Sequence, residues 1–261
     1  MSGQDDSHYT HRRSTPTKLP NELQGGSFPQ TRYSVLTAAK SDDPATRSRA
    51  IETIAAAYWK PVYKYVRLKW NLSPEDAADF TQEFFAGLLE RELLESFDAS
   101  KGRLRTFLRT CADRLFMKQT RDAMRQKRGG GHTHLALDFG EAEHELASGK
   151  SAESPEDYFD KEWVRSLFAV GLERLRARCE SANKMTQFRL FERYDLEDTD
   201  AHPSYAELAK EFGLATTDVT NYLSFARREF QRCVLEQLRE MTATEQEFRR
   251  EAQSLLGVEI R

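Results

Sequence analysis

Four cations, Arg114, Lys118, Arg121 and Arg125, stand at i, i+4, i+7 and i+11. A helix would gather them into one narrow arc. At ~1.5 Å of rise per residue the row extends over about 16 Å, enough to pass several phosphates of a nucleic acid. Lys101, Arg103, Arg105 and Arg109 lead into the row, and Phe97, Phe107 and Phe116 lie nearby as surfaces on which unpaired bases could stack. The apolar residues Leu104, Phe107, Leu108, Cys111 and Leu115 are confined to the first half, so the second half projects from an anchored base. The competing reading is a solvated Lys/Arg face over core phenylalanines. Against it, the twelve charges from Lys101 to Arg128 include only two acids, whereas solvated helices usually mix signs.

A second set of residues has helix-turn-helix spacing. Ser204 and Glu207 form a capping box, Gly213 ends a short helix, and a longer helix follows with Val219, Leu223, Ala226, Phe230 and Val234 turned inward. On the opposite face Thr217, Thr220, Asn221, Ser224 and Arg228 could reach base edges, while Arg227 and Arg232 suit phosphates. A plain helical hairpin is the alternative. Residues 204–232 carry four bases and four acids, so this unit alone should bind weakly.

A third set is acidic. In SPEDAADFTQEFF, residues 73–85, Asp76, Asp79 and Glu83 fall at i, i+3 and i+7 beside Phe80 and Phe84. Such an edge repels DNA and suits a basic protein partner; a merely solvated helix face is the simpler reading.

Residues able to do bond chemistry are scarce. His132 and His134 follow three glycines with only His144 nearby and no cysteine in reach, which argues against a metal site. The triple glycine lacks the Lys-Ser/Thr continuation of a phosphate loop. Cys111 falls on an apolar arc, as an inert core thiol would. Cys111, Cys179 and Cys233 are too widely spaced to form a metal pattern. The expectation is a non-enzyme without metal or cofactor.

The elements that position these residues read as helices throughout. Ser73-Pro74-Glu75-Asp76 and Ser154-Pro155-Glu156-Asp157 are matched helix starts, with a capping serine, proline at the first helical position and acids against the positive end of the dipole. An earlier helical pattern follows Pro44, where Pro61 is expected to kink or restart it. A further helix is expected over Met185–Tyr194, then an acidic loop over 195–202. No convincing two-residue alternation marks a strand.

Net charge is −3 over 261 residues, with 39% hydrophobic and 31% charged residues. That near-neutral sum conceals segregation: −7 over 75–98, +8 over 101–128 and −7 over 138–162. Local potential, not the total, governs contact with phosphates. The expected organisation is all-α, with two small helical domains: a disordered leader at 1–27, a first domain at 28–128, a flexible acidic linker at 129–154, a helix-turn-helix domain at 155–240 and a C-terminal extension at 241–261. No membrane-length apolar run and no secretory signal are present, so a cytoplasmic location is expected.

In order, the acidic SPEDAADFTQEFF helix, FDASKGRLRTFL, the basic helix, the acidic linker and a terminal helix-turn-helix ending FARREF resemble a bacterial sigma factor. The similarity is to the sigma-70 family, extracytoplasmic-function type, with regions 2 and 4 only. FPQTRYSVLTAA, residues 28–39, is similar to the lead-in of a subgroup of these proteins. The resemblance spans roughly residues 28–240.

By this resemblance Asp76, Asp79, Phe80, Gln82 and Glu83 dock on the clamp coiled coil of core RNA polymerase, and the second domain meets the flap. The stretch Phe97–Phe107, including Lys101, Arg103 and Arg105, captures an unpaired base of the -10 element. Arg109, Arg114, Lys118, Arg121 and Arg125 follow the duplex and upstream fork. Thr217, Thr220, Asn221, Ser224, Arg227, Arg228 and Arg232 form or flank the helix that reads the -35 element. Two weak readers joined on one polymerase gain affinity through effective concentration. Ala215 departs from the family's usual Ser or Thr cap, and Arg114 from a commonly seen Asn.

The resemblance leaves control open between an anti-sigma factor, a serine/threonine kinase and the C-terminal extension. Thr81, beside the acidic edge, is a candidate phosphorylation site that would gain about −1.5 to −2 charge. Two other function classes compete: a stand-alone helix-turn-helix regulator of duplex DNA, and an interaction module that binds no DNA.

Overall fold

The computed structural model describes residues 35–90, 93–98, 100–123, 137–148, 154–197 and 202–257. The leader at 1–27, Arg125, His132 and His134 lie outside these described residues.

Helix α1 (Val35–Ala39) buries Leu36 and Ala39 against α2 (Pro44–Trp70). The start of α2 is set by Asp43, whose carboxylate accepts the Thr46 N–H, and its end by Asn71 in the left-handed conformation. Pro61 does not restart the helix; α2 runs through it without a break. The reason is its surroundings. Every residue from Pro61 to Val66 is buried, so α2 is enclosed on all sides by α3 to α6 and tertiary packing offsets the one lost backbone hydrogen bond.

Helix α3 (Pro74–Leu89) begins as the sequence signals, with the Ser73 hydroxyl accepting the Asp76 N–H. A single 3-10 turn at Leu94–Ser96 precedes α4 (Leu104–Ala123), which packs on α2 and α3 through Leu104, Leu108, Cys111 and Ala112. Part of the segment expected to be a flexible linker is ordered: Phe139–Ser148 forms α5. Its acids find cations on α2. Glu143 accepts two bonds from Arg67, and Glu145 takes Lys60 and Lys64. Phe139 adds ring contacts to Trp59 and Tyr63.

Helix α6 (Pro155–Ser181), capped by Ser154, joins the two halves of the chain. Its first half faces α2, through Phe159 on Tyr65, Trp163 on Tyr58 and the Glu162–Lys64 ion pair. Its second half faces α9 (Thr216–Met241), through Phe168 on Phe230 and Arg174 and Arg178 on Glu240 and Glu236. The buried apolar residues of both halves therefore form one continuous cluster.

Helix α7 (Met185–Phe191) passes into one π-helical turn, Glu192–Leu196, where a loop from 195 is expected. The capping box of Ser204 and Glu207 opens α8 (Tyr205–Phe212), and Gly213 closes it at φ 66°. Val219, Leu223, Ala226, Phe230 and Val234 of α9 are all buried, as their spacing predicts. The extension at 241–261 contains α10 (Glu245–Leu256), which lays Phe248 and Ala252 into the core. No described helix is long and apolar enough to cross a membrane.

Candidate nucleic-acid interface

The outer half of α4 carries Arg114, Lys118 and Arg121 as exposed side chains on one side of the helix. They are carried there because the inward side of α4 is apolar only up to Phe116, where it reaches the end of α2. At that point the Phe116 ring stacks on Trp70, with centroids 3.8 Å apart and planes within 4°. Phe80 of α3 closes the cluster edge-on, 5.9 Å from Trp70 and 6.4 Å from Phe116. Beside it a shallow depression of about 330 Å³ is lined by Phe116, Met117, Thr120 and Arg121. Met117 is 61% exposed, an unusual position for a large apolar side chain. An apolar floor edged by a guanidinium fits a base face and its phosphate together.

Sequence reasoning identified Phe116 but missed Trp70 and Met117. Trp70 is the last residue of α2 and belongs to no periodic pattern of α4. Only the chain's return brings it under Phe116.

The other residues named around the -10 function do not share one setting. Lys101 is exposed and pairs with Asp98. Phe107 is half-buried against Phe97, 5.0 Å between centroids, and Phe97 itself is only 8% exposed, so these rings face each other. Arg109 is half-buried. Arg105 is held inside the chain, donating to Glu251 of α10 at 2.8 Å and lying 4.7 Å over the Trp163 ring, whereas Arg103 pairs with the same carboxylate at 2.8 Å but leaves its side chain 40% exposed. In this structure the Arg105 guanidinium is not presented as the sequence predicts, because the C-terminal extension folds back on it, while Arg103 is paired by that extension yet reaches solvent.

On α3, Asp76 and Asp79 are exposed, Gln82 and Glu83 half-buried. Glu83 accepts a hydrogen bond from Gln119 of α4 at 2.8 Å, tying the acidic edge to the basic helix. Phe80, expected on the docking face, is 2% exposed and serves the ring cluster instead. Thr81 is fully buried and its hydroxyl donates to the Ala77 carbonyl, so a kinase would have to open α3 to reach it. The candidate edge is therefore Asp76 and Asp79 with the outer atoms of Gln82 and Glu83.

In the helix-turn-helix, Thr217, Thr220, Asn221 and Arg228 are exposed on α9 and Ser224 is half-buried. Arg232 is exposed and pairs with Glu229 and Glu236 on its own helix. Arg227 departs from its expected role. Its Nε and Nη2 donate to both carboxylate oxygens of Asp195, and its guanidinium lies 5.4 Å from the Tyr194 ring centre. The π-helical turn brings Asp195 into range, so Arg227 braces α9 against α7 rather than facing outward.

All three cysteines are buried, and burial pushes the Cys111 thiol up to about 11. It is a packed core thiol, protonated near neutral pH. Among the described residues no group of three or more His, Cys, Asp or Glu is arranged to hold a metal ion.

Residues 55–126 match the family model of sigma-70 region 2. The match begins within α2, takes in all of α3 and α4, and so covers the acidic edge, the ring cluster and the basic row. No curated protein and no solved structure matches the chain. The segment that holds the candidate interface is thus similar to sigma-70 region 2, which supports a sigma-70 family member and, in general terms, the role of an RNA polymerase sigma factor.

Proposed function

We propose that this chain is a promoter-specificity subunit of bacterial RNA polymerase, a sigma factor of the extracytoplasmic-function type that does no bond chemistry itself. The observation that carries the reading is the region 2 match falling on a stretch where an acidic edge and an exposed basic row adjoin. In this reading Asp76 and Asp79 face the polymerase clamp. Arg114, Lys118 and Arg121 follow the strand backbone, and the Phe116–Met117 depression receives a base released from the duplex. Capture of that base by stacking, worth about 1–3 kcal/mol per base, offsets part of the cost of strand separation. The exposed residues Thr217, Thr220, Asn221 and Arg228 of α9 read the -35 element in the major groove. The C-cap glycine and capping box around α8 support that assignment, since they set the turn that presents α9.

The test is transcription by core polymerase, with and without the chain, from promoters recovered by capturing the assembled enzyme on genomic DNA. Transcripts that start only when the chain is added support the proposal. Tight binding to palindromic duplex without polymerase, and no effect on initiation, would replace it with an ordinary helix-turn-helix regulator.

A further inference from the structure

The inward face of α10 carries two carboxylates one turn apart, Glu247 and Glu251, only 6% and 4% exposed. Phe248 and Ala252 on the same face anchor the helix in the core, and the Arg239 guanidinium covers the Phe248 ring at 3.9 Å. Across from them Glu251 divides its two oxygens between Arg103 and Arg105. These arginines stand at the head of the basic row of α4. Arg105 is further enclosed by Asp160 at 3.4 Å and by the Trp163 ring, leaving its side chain 14% exposed. At the head of the row α10 therefore covers Arg105 and pairs with Arg103, whose side chain stays 40% exposed, while the row is open along Arg114, Lys118 and Arg121.

A carboxylate and a phosphodiester present the same kind of oxygen pair to a guanidinium fork, so they compete for the same donors. Glu251 cannot simply give its arginines up and stay in place. Left buried without them it would be an uncompensated charge, which is strongly disfavoured. Departure of the arginines and departure of α10 are coupled.

We propose that α10 is a latch. Docked through Glu251, it withholds Arg105 from single-stranded DNA, and a strand bound along α4 in turn loosens α10. By thermodynamic reciprocity the two effects are equal in size. The proposal rests on the reading of α4 as a DNA-facing helix.

The experiment uses the full chain and a short single-stranded oligonucleotide, with affinity measured by fluorescence anisotropy across a salt series. Glu251→Gln keeps the side chain's shape and removes its charge. It should bind more tightly at low salt, by about threefold, with a slope of log affinity against log salt steeper by about 0.7, the contribution of the one phosphate that the released Arg105 neutralises. An unchanged affinity and slope, in a chain that loses binding when Arg114, Lys118 and Arg121 are replaced by alanine, would overturn the latch and leave the interface standing. Binding that survives that triple replacement would overturn both. Should Glu251→Gln fold poorly, hydrogen exchange on the unaltered chain decides: added oligonucleotide should speed exchange over residues 245–256, and unchanged or slower exchange there rejects the latch.

Discussion

Lys64 of α2 donates to Glu162 of α6 at 2.7 Å, and the two side chains are 1% and 2% exposed. This pair sits where the region 2-like helices meet the helix that continues toward the helix-turn-helix. Lys64 also takes Glu145 of α5, and Glu162 also takes Arg165, so each charge has more than one partner. Removing Glu162 would leave the buried Lys64 with Glu145 as its remaining partner. Glu162→Ala should lose about 3 kcal/mol of unfolding free energy in urea titration, the lower end for a broken buried pair, because Glu145 keeps Lys64 partly compensated. Pairing Glu162→Leu with Lys64→Met should recover most of that loss, because well-packed apolar groups often replace a buried pair at little cost.

Helices α6 and α9 touch at Gly171. A Cβ there would stand 2.6 Å from Cγ2 of Val234, closer than side chains pack. Alanine gains up to about 1 kcal/mol over glycine in a helix, but overpacking costs about 1–3 kcal/mol. Gly171→Ala should therefore destabilise the chain. In a Val234→Ala background the same change should be neutral or stabilising. A thermal-melt comparison of the four proteins checks that reversal.

Acid should loosen α5. The bonds from Arg67 hold Glu143 below the usual carboxylate range. Burial opposes the same shift at Glu145, but Lys64 and Lys60 outweigh it. At Glu156 of α6 the bond from Lys69 is the main cause. Carboxylates with lowered values stabilise the fold above their unfolded value, near 4.5, and lose that contribution as pH falls below it toward the folded values. Hydrogen exchange over residues 139–148, corrected for the intrinsic rate, should accelerate below about pH 4.5. Glu247 of α10 has the opposite sign. Burial raises it, with Glu251 adding to the rise and Ala243 N–H, Arg103 and Arg105 opposing it, so its charged form weakens docking near neutral pH. Glu247→Gln should firm α10 at pH 7 and matter less at pH 4.

The start of α9 has no side-chain cap. Ala215 occupies the capping position with φ −75° and ψ 150°, a backbone a capping serine adopts without change. Ala215→Ser should add about 1 kcal/mol of stability by accepting a first-turn N–H. The midpoint of urea unfolding checks it, and no gain would mean that solvent already satisfies those groups.

How much was legible beforehand differs by element. The caps at Ser73, Ser154 and Ser204, the turn at Gly213 and the inward residues of α9 depend on a few neighbouring residues. Local sequence therefore determines them, and the structure places them as expected. The helical pattern on both sides of Pro61 was legible, but whether the proline would restart the helix was not, because what sustains α2 there is enclosure by other helices.

The same division holds at the candidate interface. The sequence alone determined that Arg114, Lys118 and Arg121 share one side of a helix, since helical periodicity is a local property. Only the tertiary structure decided which cations are open. Arg105 and Arg227 look equivalent to their neighbours in sequence, yet Glu251, 146 residues away, takes the first and Asp195 takes the second. Charge spacing on a helix is set by the backbone's own pitch, whereas the partner of a charge is set by which distant surface folds against it.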